Sequence, residues 1–140
     1  MTKVFELHPQ LAADTFEVGD LQLSRLLLLN DSRYPWLILV PRIPDLREIH
    51  HLERDERIML LDESCRVAEF MEKQFEPDKL NVGALGNMVP QLHLHHVARY
   101  NDDPAWPGPV WGHSPAVPYE VEQAEEMLVL LRKELIVIQA

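Results

Sequence analysis

The chain has 140 residues, with 13 lysines and arginines against 23 aspartates and glutamates, which gives a formal net charge of −10. A chain of this length fits one domain over residues 1–140, which buries about two thirds of its unfolded surface in a single core. The negative charge argues against nucleic acid or an anionic membrane bound by long-range attraction, whereas a local group of N–H donors can still hold one phosphate.

The cysteine count and the apolar runs indicate the compartment. The single cysteine, Cys65, has no partner for an internal disulfide, which fits a reducing environment. The longest apolar runs, 26–29 and 36–41, have the length of strands, and no signal peptide or membrane span is recognisable. We therefore expect a soluble cytoplasmic domain with no membrane partner.

The first half of the chain predicts consecutive strands. After a short helical stretch, Phe16–Leu21 has the pattern of a strand that enters a turn at its end. A mostly apolar strand over 21–29 ends at the turn residues 30–32, and a third strand over 36–40 ends before Pro41. The last two strands therefore predict a β-hairpin with a polar tip.

Two longer helices are predicted from apolar residues at helical spacing. The first, Asp55–Phe75, is expected to bury Ile58, Leu61, Cys65, Ala68 and Met71. The second, Tyr119–Leu135, carries a stripe that could pack on the sheet or on a second subunit, made of Val121, Ala124, Leu128, Leu131 and Leu135. Cys65 is thus expected to be a buried small hydrophobe and not a nucleophile.

Three of the seven histidines lie within four positions of a segment that otherwise alternates like a strand. Successive side chains of a strand point to opposite faces of the sheet. One face would carry Gln91, His93 and His95, and the other would carry Leu92, Leu94 and His96. The first face is polar and rich in nitrogen, so it is the predicted site, and the second resembles core.

A glycine-containing loop, 81–88, lies directly upstream. A strand that carries Asn81 is predicted over Lys79–Leu85, so it runs into this loop. Its glycines allow positive φ and close backbone approach, which leaves peptide N–H groups free to meet an anion. The two pieces together predict a phosphate cradle that opens onto a pair of histidines.

These residues resemble the histidine triad family of nucleotide hydrolases and transferases, whose signature is an Asn-x-Gly and Gly-Gln loop running into H-x-H-x-H. The same frame here is N-V-G at 81–83, G-N at 86–87 and Q-L-H-L-H-H-V-A-R at 91–99. The second and third family histidines fall on His93 and His95, and Gln91 replaces the first.

A further resemblance lies in the strand 36–42, which is similar to the family's G-H-x-L-V-x-P-[KR] strand. Trp36 stands where the family usually has a histidine that supports the first triad histidine. The resemblance covers about residues 21–99 and implies an α+β fold, with a HIT-like antiparallel β-sheet of about five strands and two main α-helices. It also implies a homodimer.

The resemblance further implies a covalent mechanism. A neutral imidazole is a competent nucleophile toward phosphorus, provided that preorganised donors meet the phosphoryl oxygens. His93 would take a nucleoside monophosphate from a phosphoramidate, acyl-nucleotide or dinucleoside polyphosphate, and water would release it. For this, the second nitrogen of His93 must donate to a fixed acceptor such as a backbone carbonyl. His95 would donate to a phosphoryl or bridging oxygen.

Other site residues are expected around this pair of histidines. The phosphate-binding candidates of the glycine loop are Asn81, Gly86, Asn87 and Met88, the last of which stands where many relatives carry Ser or Thr. Asn30 and Asp31 at the hairpin tip would hold ribose hydroxyls, or would serve only as turn formers. Gln91 cannot relay a proton but can donate one hydrogen bond, so slow turnover is expected.

The segment 102–113 contains three prolines and two tryptophans, which is too stiff a composition for a flexible linker. Buried or half-buried indoles are the simplest explanation. Alternatively the segment walls the site and selects the leaving group, with Trp111 or His113 in contact.

Two other classes of function remain open. One is a nucleotide-binding interaction protein whose catalysis is weak or lost because of Gln91. The other is a zinc-dependent hydrolase, in which His93 and His95 share a metal ion with a third ligand such as His113. The scarcity of carboxylates and cysteines near the motif disfavours zinc, so we expect no metal or cofactor. From the resemblance we expect a small nucleotide as ligand and a second copy of the chain as partner.

Overall fold

The computed structural model describes residues 3–136. The sheet is antiparallel with strand order β1-β2-β3-β5-β4, and its strands are Thr15–Asp20, Ser24–Leu29, Trp36–Pro41, Lys79–Gly83 and Leu94–Arg99 in chain order. The helices are α1, α2 and α3, which span Pro9–Asp14, Arg54–Phe75 and Val121–Leu135, and a 3₁₀ turn spans Ile49–His51. The predicted α+β fold with a five-stranded antiparallel sheet is confirmed.

The apolar strands β2 and β3 lie in the middle of the sheet and bury side chains on both of its faces. Leu26, Leu28 and Leu37 belong to the cluster that packs under α2 and α3. Leu27 and Ile38 belong to a second cluster on the opposite face. Both faces of these strands are covered, which explains why their sequence is a continuous apolar run and not an alternation.

Helix α2 lies across β3 and β5, and it buries Leu60, Val67 and Met71. The predicted apolar face of this helix is confirmed for Met71 and is wrong for three other residues. Ile58 and Leu61 are 49% and 63% exposed, and Cys65 is also exposed, contrary to its predicted burial.

Two polar residues, Glu63 and Ser64, occupy the buried side of α2 in place of the predicted residues. The Glu63 carboxylate accepts the backbone N–H groups of Leu23 and Ser24 at 2.8 and 3.1 Å. The Ser64 hydroxyl lies 2.7 Å from Nε2 of His96. Buried polar groups are tolerated when they have hydrogen-bond partners. Because two positions of the buried side are polar, the spacing of apolar residues does not mark that side of α2.

Helix α3 packs beside β1 and α2 and buries Ala124, Leu131 and Leu135. Of the predicted stripe, Val121 is wrong, since its side chain is 74% exposed at the first turn. Arg132 donates to the backbone carbonyls of Glu17 and Val18, beside the irregularity in β1. Among the described residues, none of the helices is long and apolar enough to cross a membrane.

The proline- and tryptophan-rich segment folds against the sheet face opposite α2 and α3. The Asp103 carboxylate accepts a hydrogen bond from Nε of the buried Arg99 at 2.8 Å, and the Arg99 guanidinium lies 5.8 Å from the ring centres of Tyr34 and Trp106. Val110 is buried in the second cluster, with Trp111 packed against it. The segment is therefore an ordered wall over the second face of the sheet.

Candidate active site

Strand β5 divides its histidines between the two faces of the sheet. His96 is fully buried and bonds Ser64 on the helix side. His95 lies on the other face, with its ring centre 5.7 Å from that of Trp36 and 5.4 Å from that of Trp111. The His93 ring lies beside it, 4.9 Å away between centres, although β5 begins only at Leu94. The predicted alternation of the histidines is confirmed.

A cavity of 410 Å³ opens over His93 and His95 on this face. The glycine loop contributes residues 85–89 to its lining, the hairpin tip contributes Asp31 and Arg33, and the loop 110–112 forms a third wall. The lining is largely apolar around a few polar groups, which is the usual character of a small-molecule site.

The nucleophile candidate His93 is oriented by a backbone carbonyl. Its Nδ1 lies 2.7 Å from the carbonyl oxygen of Gln91. A carbonyl can only accept, so Nδ1 carries the proton and the lone pair is left on Nε2. Because the ring lines the cavity, this tautomer provides the arrangement that attack on phosphorus requires.

The second imidazole, His95, is held in the opposite tautomer. Nε1–H of Trp36 donates to Nδ1 of His95 at 2.9 Å, so that nitrogen is unprotonated and Nε2 carries the hydrogen. Burial, together with the nearby His93 and His96, lowers the pKa of His95 from 6.5 to about 3. His95 is thus a neutral hydrogen-bond donor. The indole of Trp36 thus contacts the third motif position, His95.

Gln91 does not share the cavity with the two histidines, so its expected place in the catalytic group is corrected. Its side-chain Oε1 accepts the backbone N–H of His8, and its Nε2 donates to the carbonyl of Glu6, both at 2.9 Å. The side chain instead lines a separate open cleft beneath the amino-terminal segment. Only its main-chain carbonyl reaches the site, through His93.

The glycine loop has backbone N–H groups without a partner among the described residues. Gly86 has φ of +78°, a left-handed conformation that favours glycine. Among residues 3–136, no acceptor is bonded to the backbone N–H of Gly86, Asn87 or Met88. The Met88 side chain is 93% exposed. These three residues line the cavity as expected, and their N–H groups are available to an anion.

The remaining predicted residues divide into two groups. Asp31 and Trp111 line the cavity. Asn81, Asn30 and His113 lie outside it. Asn81 accepts from Arg99 at 2.8 Å, so it braces that arginine. Asn30 accepts the backbone N–H of Tyr119 at 2.8 Å, so its side chain ties the hairpin tip to the segment before α3. His113 is exposed beyond the wall.

Sequence reasoning missed Arg33, which ties the hairpin tip to the far wall of the cavity. Its guanidinium bonds both oxygens of the buried Asp31 carboxylate at 3.0 and 2.9 Å. It also donates to the Ser114 hydroxyl and, at 3.0 Å, to the carbonyl of Pro115. An arginine in a polar turn gives no signal of such a role, because its partners on the far wall lie about 80 residues further along the chain.

The zinc alternative lacks its third ligand. In the part of the chain that the structure describes, no group of three or more His, Cys, Asp or Glu side chains is placed to hold a metal ion. His113, the residue considered for that role, is not part of the cavity lining.

A five-stranded antiparallel α+β domain with paired imidazoles beside a glycine loop is the architecture of a histidine triad protein. The HIT domain family model matches residues 10–102, and the chain belongs to this family. Membership places it in a superfamily of nucleotide-binding hydrolases and transferases.

Solved structures of histidine triad proteins resemble this chain closely. The protein from Marinobacter aquaeolei VT8 is 51% identical, with a TM-score of 0.93 over 96% of this chain and 98% of that one. The protein from Bradyrhizobium japonicum is 41% identical, with a TM-score of 0.92 over 95% and 99%. The protein from Sinorhizobium meliloti 1021 is also 41% identical, with a TM-score of 0.90 over 94% and 97%. The search of curated proteins finds no match.

Proposed function

We propose that the protein hydrolyses or transfers nucleotides by attack of His93 on the α-phosphorus of a nucleoside phosphoramidate, acyl-nucleotide or dinucleoside polyphosphate. The observation that carries this proposal is the bond from Nδ1–H of His93 to the Gln91 carbonyl, which leaves the Nε2 lone pair on a ring that lines the cavity. The reaction yields a covalent nucleotidyl-histidine.

The donors around the cavity account for binding of the phosphoryl group. The N–H groups of Gly86, Asn87 and Met88 would hold its non-bridging oxygens, and Nε2–H of His95 would donate to a phosphoryl or bridging oxygen. Asp31 lines the same cavity and is the candidate for the ribose hydroxyls, which would share its carboxylate with Arg33. These groups are fixed by the fold before the ligand arrives, so little reorganisation is needed in the transition state.

The covalent step balances with the groups present. The Nε2 pair of His93 forms the bond to phosphorus, and the bond to the leaving group breaks with its electrons leaving on that group. The imidazole then carries a positive charge, which the Gln91 carbonyl stabilises through Nδ1–H. Water next attacks phosphorus, the P–N bond breaks, the pair returns to Nε2 and the proton of the water passes to solvent.

Activity on adenylated substrates tests the proposal. The native protein, His93→Ala and a control, His50→Ala, would be compared with an adenosine phosphoramidate, an acyl-adenylate and a dinucleoside polyphosphate. Loss of the nucleophile should lower turnover by at least about 10³-fold, whereas His50 is exposed on the 3₁₀ turn and its loss should change little. Equal turnover in native protein and His93→Ala would remove the covalent mechanism, and binding without turnover would favour the interaction protein.

We further propose a homodimer that forms along β4 and the adjacent side of α2. Strand β4 lies at one end of the sheet, and its outer edge pairs with no other strand among the described residues. Arg66 bonds Leu135, so it marks the side of α2 that faces α3. Leu61 is exposed and lies about 140° around the helix from Arg66, on a side turned away from α3. An open strand edge and an exposed apolar side chain on α2 both suit association with a second copy.

Sedimentation of two variants tests the dimer. Leu61→Asp should shift the protein to monomer, because it places a charge in the proposed interface. Val129→Asp is the matched control, since it adds the same charge at an exposed position of α3. A monomeric native protein, or a dimer that both variants leave intact, would contradict this interface.

We also propose a cytoplasmic location and no nucleic-acid partner. The net charge of −10 supports the second point, because phosphate backbones are repelled by an acidic surface. The single exposed thiol of Cys65 is consistent with a reducing compartment. Fractionation of cells that express the natural chain, with blotting, tests the location.

A further inference from the structure

We propose that Trp36 selects the leaving group, by holding His95 as a neutral hydrogen-bond donor that cannot deliver a proton to the departing atom. The site then favours substrates whose leaving group departs as a stable anion, namely acyl-nucleotides and nucleoside polyphosphates, over phosphoramidates of amines. This inference rests on the covalent reaction proposed for His93 and narrows its substrate class.

The contact between the indole and the imidazole carries the inference. An indole nitrogen has one hydrogen to donate and no lone pair to accept with. Protonated His95 would need a hydrogen on Nδ1, and that hydrogen would point at Nε1–H of Trp36 across 2.9 Å. The two donors would face each other, so the charged form of His95 is excluded while Trp36 keeps its place.

The surroundings of Trp36 keep the indole in this place. The residue is buried in β3 and pairs with Val97 of β5. Its ring meets Tyr34 and Trp111 edge-on, with both centres 6.2 Å away. Turning the indole away would displace these close-packed rings, which disfavours a rotamer change that would make room for a charged His95.

The other ionisable groups near His95 do not favour its protonation. His93 shares the cavity and brings no negative charge to His95, while His96 faces the opposite side of the sheet. The Asp31 carboxylate, which could have stabilised an imidazolium, is already bonded at both oxygens by Arg33. The low pKa of His95, caused first by its burial, agrees with this geometry.

Leaving groups respond differently to such a site. A carboxylate or phosphate takes the bonding pair from phosphorus as a stable anion, and the Nε2–H of His95 can stabilise that charge without transferring its proton. An amine must gain a proton as the P–N bond breaks, because its anion is far too basic to depart. A neutral imidazole is too weak an acid to supply that proton near neutral pH.

A series of leaving groups tests the inference on the full chain. Aryl esters of adenosine monophosphate with phenols of graded acidity, an acyl-adenylate and an adenosine phosphoramidate would be compared by single-turnover formation of the His93 adduct. The native rate should fall about tenfold for each unit of leaving-group pKa. In Trp36→His the ring at position 36 can accept a hydrogen bond, so the rate should depend less steeply on the pKa of the leaving group. The rate with the phosphoramidate should rise at least about tenfold relative to the rate with the acyl-adenylate.

Two further measurements separate the possible failures. Two-dimensional ¹H–¹⁵N spectra of the native imidazoles should show His95 as the neutral Nε2–H form throughout the pH range of activity, and this needs no variant. Trp36→Phe keeps a ring without the N–H, and should gain a pH-dependent limb in the phosphoramidate rate. The role of Trp36 would be overturned by spectra that show a protonated His95, by native rates that depend only weakly on leaving-group pKa, or by unchanged rates in Trp36→His. The absence of an adduct from every donor would overturn the proposed function itself.

Discussion

Nδ1 of His93 lies 2.7 Å from the carbonyl oxygen of Gln91, and the side chain of Gln91 is itself fixed by the amino-terminal segment. The side-chain amide meets the carbonyl of Glu6 and the N–H of His8, more than 80 residues away in the chain. The amino-terminal segment thereby holds the peptide that sets the tautomer of His93. Gln91 acts as a positioning residue.

Gln91→Leu should therefore lower kcat about tenfold and leave KM nearly unchanged, since a loss of order 1.4 kcal/mol in orientation corresponds to that factor. Gln91→His should not exceed the native rate, because imidazole cannot make both amide contacts. Lys3→Ala, which removes only an exposed ion pair of the same segment, serves as control in steady-state assays. A faster Gln91→His enzyme would show that the glutamine limits the chemistry directly.

The buried pair of Ser64 and His96 should stabilise the fold. Ser64→Ala leaves Nε2 of His96 without its partner at 2.7 Å, which should lower the free energy of unfolding by about 1–3 kcal/mol. Cys65→Ala, one position along on the exposed side of α2, should change it by less than about 0.5 kcal/mol. Urea unfolding at neutral pH measures both, and equal midpoints for the two variants would be evidence against the pair.

Acid should destabilise the protein before most carboxylates titrate. Burial lowers the pKa of His96 from 6.5 to about 4. The unfolded state thus binds a proton first as pH falls, so stability is present above pH 6.5 and is lost down to about pH 4. Each such histidine should contribute a slope of about 1.4 kcal/mol per pH unit. Urea unfolding at several pH values measures how the free energy of unfolding changes with pH. This dependence on pH should be shallower for Ser64→Ala/His96→Leu than for the native protein.

Arg33 should control access to the cavity. Arg33→Met breaks the ties to Asp31, Ser114 and Pro115, so the wall loosens and the KM for nucleotides should rise about tenfold while kcat changes less. Arg54→Met removes the same charge at the exposed start of α2 and provides the control. An unchanged KM in steady-state kinetics would mean that the tie does not shape the binding site.

The parts of this fold that could be predicted depend on local patterns. The alternation of residues 91–96 predicted that His93 and His95 share one face of the sheet, and Gly86 predicted the loop. Both predictions were possible because the alternation of side chains and a positive φ depend on residues that are neighbours in the sequence. The buried face of α2 could not be predicted, since Glu63 is satisfied by backbone donors about 40 residues away. Long-range partners of this kind have no signature in the sequence around a residue.

The same limit applies to the candidate site. Trp36 and His95 are 59 residues apart, and the motif gave no sign of the hydrogen bond between them. Gln91 matched a catalytic position in the motif, yet its amide is taken by the amino-terminal segment. The motif identified the segment that carries both imidazoles, while the tautomers of these rings depend on contacts made only in the folded chain.

The most direct test of the account is the mass of the protein quenched in alkali during turnover of an acyl-adenylate. We predict an increase by one nucleotidyl group, located by peptide fragmentation on His93 and missing from His93→Ala. Turnover with no adduct, or an adduct on another residue, would contradict the central claim that this imidazole bonds to phosphorus.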